Sequence, residues 1–339
     1  NLINHTKNLI LNHLIIDSAY DITIYENSVF MLYLKNGVEG LIEINYNQNQ
    51  LVYKDYYEGF ASFGTSFSKS LIFQNKIYLQ SNNGIYVGDF ENNLKNNSSW
   101  IKLFNSSNVR DIVIFNNQLF AICSDGVRVL DENQSFDNVL ELQIDLTNFI
   151  DSFNYNDSYL YFLLNNKILK LDSNYQKFID YELSLSQASS IIVENDVVYL
   201  AHQDQGLWIL NNDITKCSPN TILSSSIESL TLSDNVLYGV SREGVFIYDG
   251  EIFENIISND YESSYLTKKS NCNNFIGTQL DYVPGSKISS SIIVHDDILF
   301  IPNSGILPDE DNKGGLVLVD PLNKVLIDVI GSNYLEGLD

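Results

Sequence analysis

The chain has 339 residues, and its 43 acidic against 19 basic side chains give a formal charge of −24. That charge repels phosphate backbones and anionic headgroups, which argues against nucleic acid and anionic membranes as partners. No run reaches the roughly 18 apolar residues a spanning helix needs, and the longest, Leu9 to Ile16, is broken by Asn12 and His13.

Period-two runs of apolar residues recur along the whole chain, whereas no window keeps helical spacing for three turns. The first repeat reads Asp21–Tyr25, Val29–Leu34, Leu41–Asn45 and Leu51–Asp55. The second reads Ser70–Phe73, an Asn turn, Ile77–Leu79, Gly84–Val87 and Trp100–Phe104. The third runs Asp111–Phe115, Leu119–Ile122 and Gly126–Val129, and the fourth has Asn165-Asn166 where other copies have Gly. Asn also tolerates the left-handed turn. The fifth gives Ser190–Val193, Val197–Ala201 and Gly206–Leu210, and the sixth Ser229–Leu232, Val236–Tyr238 and Gly244–Ile247. The seventh has four strands, Ser291–Val294, Ile298–Ile301, Leu316–Val319 and Val325–Ile330. Each copy opens on a small or acidic residue, turns on Asn or Asp, and carries an aromatic in its second strand.

That aromatic is Phe30, Tyr78, Phe120, Tyr161, Tyr199, Tyr238 and Phe300 in turn, at steps of 48, 42, 41, 38, 39 and 62 residues. A β-propeller blade takes about 40 to 50 residues, so the spacing predicts an all-β chain forming a seven-bladed β-propeller. The long last step places an insertion at about 250–287, between blades six and seven. The propeller is expected to occupy 20–339 as one domain. Residues 1–19 are a spare strand, which either closes the ring or is donated to a second subunit for self-association. The Asn/Asp pairs and the Gly before each third strand are scaffold, because tight reversals need positive φ.

The chain opens on Asn1 and its single methionine is Met31, which suggests removal of an export signal or a trimmed N-terminus. Cys123 falls inside a strand, where a small buried hydrophobe is wanted. Cys217 and Cys272 are candidates for a disulfide pinning the insertion, with three unpaired thiols as the other reading. The six N-x-Ser/Thr sequons fall within chance for so asparagine-rich a chain.

No GxSxG, HExxH, phosphate loop or metal-spaced cysteine pair is present. Chemistry is therefore sought on the loops joining second to third strands, which share one rim of a propeller with the entries to the first strands. His202, Asp204 and Gln205 are the central candidates, with Arg242 and Glu243 beside them and Asn82 and Asp125 opposite. Ordinary polar loop chemistry is the plain alternative. Asp309 and Asp311 lie in an acidic run that could take calcium, but Lys313 stands where an acidic ligand should be, so a solvated loop fits as well.

The run Asn83-Gly84-Ile85-Tyr86-Val87-Gly88-Asp89, then Asn93-Leu94 and Ser99-Trp100, resembles the N-terminal propeller of the PorZ-type proteins of the type IX secretion system. Gly315 to Pro321 and Val325 to Gly331 resemble instead the YVTN-type repeat of exported bacterial propellers. Both resemblances imply an extracellular, cell-surface or periplasmic binding protein without a carried-over catalytic motif. The expected function is non-catalytic binding of a protein or surface glycan, with no cofactor beyond the calcium already weighed. A hydrolase or lyase acting on a glycan or lactone at the channel mouth, and a repeating subunit of a surface assembly, remain the alternatives.

Overall fold

Asparagine and aspartate pairs set the local geometry. Gln74-Asn75, Asn116-Asn117, Asp234-Asn235 and Asp296-Asp297 each hold two successive positive φ angles, between 48° and 63°. This is the mirror-image turn whose twist matches that of the flanking antiparallel strands. Gly84, which opens a third strand, has φ 141°, and a Cβ there would come 1.8 Å from the Phe104 carbonyl oxygen. Close approach of the fourth strand therefore demands glycine as much as the turn does.

The computed structural model describes residue 16 and residues 18–330, apart from connections at 48–49, 82, 105–108, 131–137, 141–145, 147, 156, 166, 183–187, 196, 203–205, 212, 217–226, 242–243, 250–251, 259–265, 268–273, 278–291, 304–314 and 324. Among the described residues there is no α-helix, and the strands form seven antiparallel meanders. These sheets span 18–57, 67–104, 109–140, 149–182, 188–216, 227–258 and 293–330, each with four strands in chain order. Sheet six takes two more strands. Asn274–Gly277 pairs in parallel with Ile252–Ser258, and Leu266–Thr267 pairs with Asn274–Gly277. Ile252–Ser258 is thus the fourth strand of sheet six, although it falls within the stretch read as inserted. Its sequence, Ile-Phe-Glu-Asn-Ile-Ile-Ser, lacks a strict apolar alternation, which hid it. At the other end, the first strand starts at Ser18 and Ile16 is fully buried.

The seven marker aromatics occupy the third position of the second strand in seven successive sheets. Each packs toward the following sheet, Phe30 against sheet two, Tyr78 against three, and so on to Tyr238 against seven. Phe300 of sheet seven packs against sheet one, in a cluster with Ile22, Val29, Met31 and Ile42. Among the described residues seven buried clusters lie between sheets. A strand presents alternate side chains to opposite faces, so each sheet contributes one face to the cluster before it and the other to the cluster after it.

First strands sit at one end of every sheet's strand order and so have a ladder partner on one side only. They lie against one another in succession, and Ile293–His295 of sheet seven touches both Ile227–Ser233 and Ser18–Tyr25. In sheets one to six the pairing of first with second strand carries a register shift at the same place. The residues just inside that bulge are Asp21, Lys69, Asp111, Asp151, Ser190 and Ser229.

Candidate functional site

The bulged positions form a belt of sheet-to-sheet bonds. The Ser70 backbone N–H and hydroxyl both donate to Asp21 Oδ2, at 2.6 and 2.8 Å, joining sheets one and two. Lys69 Nζ donates to Asp111 Oδ1 at 2.5 Å, joining sheets two and three. Asp111 Oδ2 accepts from the Ser152 hydroxyl at 2.6 Å, joining three and four. Asp151 Oδ2 accepts from the Ile191 N–H at 3.0 Å, joining four and five, and the Ser189 hydroxyl donates to the Ile227 carbonyl at 2.7 Å, joining five and six. An inner strand has N–H groups pointing away from its only ladder partner, and buried N–H groups must find acceptors. Asp21 and Asp151 supply them.

Charge is gathered on one side of the belt. Three carboxylates and one ammonium serve sheets one to four, and serines serve five and six. Asp21 and Asp111 are buried, while Lys69 keeps 31 % of its side chain accessible to solvent. Burial works to lower the Lys69 ammonium, but Asp111, Asp151 and Asp21 outweigh it and hold it above its ordinary value. Asp151 is pushed up to about 6, first by burial and then by the neighbouring Asp111 charge, against the pull of Lys69 and two backbone N–H donors.

The second-to-third turns lie at the same end. Ser81, Cys123, His202 and Ser241 each end a second strand, pairing outward with Gly84, Gly126, Gly206 and Gly244. The same four pair inward with Phe67, Val109, Ala188 and Ile227, just before each bulge. His202 is therefore a strand residue, not a loop residue, and it is 2 % exposed. It occupies the position that Ser81 and the free, buried thiol of Cys123 hold in other sheets.

Asp125 is on the Ser124-Asp125 turn, half exposed, in a two-pronged pair with Arg128 at 2.9 and 2.8 Å. The guanidinium holds the Asp125 carboxyl below its ordinary range, and it also stacks 5.1 Å from the Phe104 ring centre. Asn82, Asp204, Gln205, Arg242 and Glu243 lie outside the described residues, as do Asp309, Asp311, Cys217, Cys272 and residues 1–15. Among the described residues no three His, Cys, Asp or Glu side chains could share a metal ion, and no helix is long and apolar enough to cross a membrane.

No protein-family model and no curated protein matches the chain. Solved structures do. The computationally designed Ika8 protein aligns at 11 % identity over 94 % of this chain and 90 % of its own, with a TM-score of 0.55. The extracellular domain of a hybrid two-component system protein, BT4673 from B. thetaiotaomicron, aligns at 12 % identity over 91 % of this chain with the same score. PorZ of Porphyromonas gingivalis, a bacterial surface component of the type-IX secretion system, aligns at 14 % identity over 94 % of this chain with a TM-score of 0.44, too low to carry an argument. This chain spans about half of the latter two, 48 % and 47 %. The likeness is one of fold, and that fold is propeller-like.

The belt residues were not singled out by sequence reading, although their signal was visible. The small or acidic residue opening the first, third, fifth and sixth copies is this position, and in the second copy the opening Ser70 is its neighbour. Glu43 gave no such signal. It is 4 % exposed between sheets one and two, accepting from the Ser28 hydroxyl at 2.9 Å, Lys54 Nζ at 2.5 Å and the Tyr57 hydroxyl at 2.6 Å.

Proposed function

We propose that the chain is a closed seven-bladed β-propeller, exported or cell-surface, that binds a protein partner or surface glycan without catalysing a reaction. The seventh cluster, between sheets seven and one, supports closure. The extracellular setting of the BT4673 domain supports export. The binding end is the one carrying the belt and the second-to-third turns. One observation carries this reading: Asp21, Lys69, Asp111 and Asp151 are engaged in sheet-to-sheet bonds, which leaves recognition at that end to the residues of the turns. The residues between those strand ends differ in content, Asn82-Asn83, Ser124-Asp125, Gln203-Asp204-Gln205 and Arg242-Glu243. A fixed frame with varied tips is how loops on a rigid scaffold recognise partners.

The reading is tested by replacing Asp125, Asp204 and Arg242 together with alanine. Binding to a panel of surface polysaccharides and co-exported proteins is then compared with the parent. Loss of the parent's ligand, with the thermal midpoint within about 2 °C (roughly 1 to 2 kcal/mol for a chain this long), is the expected result. Unchanged binding would place the functional surface elsewhere.

A further inference from the structure

The belt unites three carboxylates with a single ammonium at one repeated position, and this asymmetry has a consequence for pH. We propose that Asp21, Lys69, Asp111 and Asp151 form an acid-tightened clasp, in which Asp151 takes up a proton as the surroundings acidify and the junction of sheets three, four and five becomes more stable.

The geometry gives Asp151 little compensation for its charge. It sits on Phe149–Tyr155, which packs against three other strands. From Val109–Phe115 it meets the Asp111 carboxylate, and beside that the Lys69 ammonium, whose 2.5 Å contact is spent on Asp111. From Ala188–Glu194 it meets the Ile191 N–H, with Glu194 at the far end of that strand. From Tyr159–Leu164 the residue opposite is Leu163. Asp151 Oδ1 accepts from the Ser152 N–H at 2.9 Å, so both oxygens are held by neutral donors. Among the described residues no cation forms an ion pair with Asp151. A proton on Asp151 removes both its burial cost and its repulsion from Asp111.

The sign follows from linkage. An aspartate in the unfolded chain titrates near 3.8, and Asp151 in the fold near 6. Between those values the folded protein binds more protons than the unfolded one, so stability rises as pH falls through 6 and the gain is complete below about 4. Two units of difference correspond to roughly a hundredfold in the unfolding constant. Asp151 is only part-buried and Lys69 is partly accessible, so solvent screens part of this and a ten- to hundredfold change is expected.

The experiment measures urea unfolding of the parent and of Asp151→Asn from pH 8 to pH 4.5. Other carboxylates titrate in both proteins, so the readout is the ratio of their unfolding constants. The parent should gain roughly ten- to hundredfold on the variant as pH falls. A ratio that stays flat across this range overturns the proposal. Should Asp151→Asn fail to fold, carboxyl carbon NMR of the parent decides instead. A midpoint near 6 for Asp151 supports the clasp, and a midpoint at or below the ordinary aspartate value overturns it. Lys69→Met should raise that midpoint further by removing the nearest cation, and a midpoint lowered by this change would also overturn it.

Discussion

Replacing Asp21 with alanine tests whether the belt joins sheets or merely decorates them. The carboxylate is 1 % exposed and accepts two bonds on one oxygen, from the Ser70 N–H and hydroxyl. Hydrogen bonds to a charged acceptor contribute about 1.5–3 kcal/mol each, and a buried donor left unsatisfied costs about 1–3 kcal/mol. The Ser70 hydroxyl can rotate to another acceptor, but its N–H lies on the unpartnered edge of the first strand of sheet two. A loss of about 3–5 kcal/mol is therefore expected. At about 2.1 cal/mol/K per residue, 339 residues give an unfolding entropy near 0.7 kcal/mol/K. The midpoint should fall by roughly 4–7 °C. Thermal unfolding followed by tryptophan fluorescence suits this, because Trp100 is buried in the cluster between sheets one and two. Amide exchange at Ser70 should accelerate. Asp21→Asn keeps one carbonyl oxygen and should lose less than half as much. If Asp21→Ala unfolds within 1 °C of the parent, or if Asn and Ala are equally harmful, the belt is not a clasp.

Two further predictions concern packing. Phe300 is fully buried in the cluster that joins sheet seven to sheet one, so Phe300→Ala should cost about 3–5 kcal/mol, and an exchange map should show sheets one and seven losing protection together; loss confined to sheet seven would disprove the shared cluster. At Gly239 an added Cβ would lie 1.9 Å from the Phe246 ring, itself fully buried. Gly239→Ala should destabilise by about 1–3 kcal/mol, and Phe246→Leu in the same chain should restore part of that in urea unfolding.

The repeat itself was legible residue by residue. Asn116-Asn117 and Asp234-Asn235 announce tight reversals because side chains of that kind accept positive φ, and Phe30 to Phe300 mark the second strand because each fills the same gap toward the next sheet. These are local rules that act within one repeat, so a sequence reading finds them. Ile252–Ser258 escaped because its residues, Ile-Phe-Glu-Asn-Ile-Ile-Ser, do not alternate apolar with polar. His202 was misplaced for a related reason. A histidine beside Gln, Asp and Gly reads as loop, but pairing with Ala188 on one side and Gly206 on the other puts it inside the ladder. The belt could be decided only by tertiary structure. Asp21 and Ser70, Lys69 and Asp111, and Asp151 and Ile191 stand 40 to 49 residues apart, and nothing in either neighbourhood names its partner. Placing seven similar sheets side by side brings the free edges of their first strands together, and those edges need acceptors that a neighbouring sheet supplies.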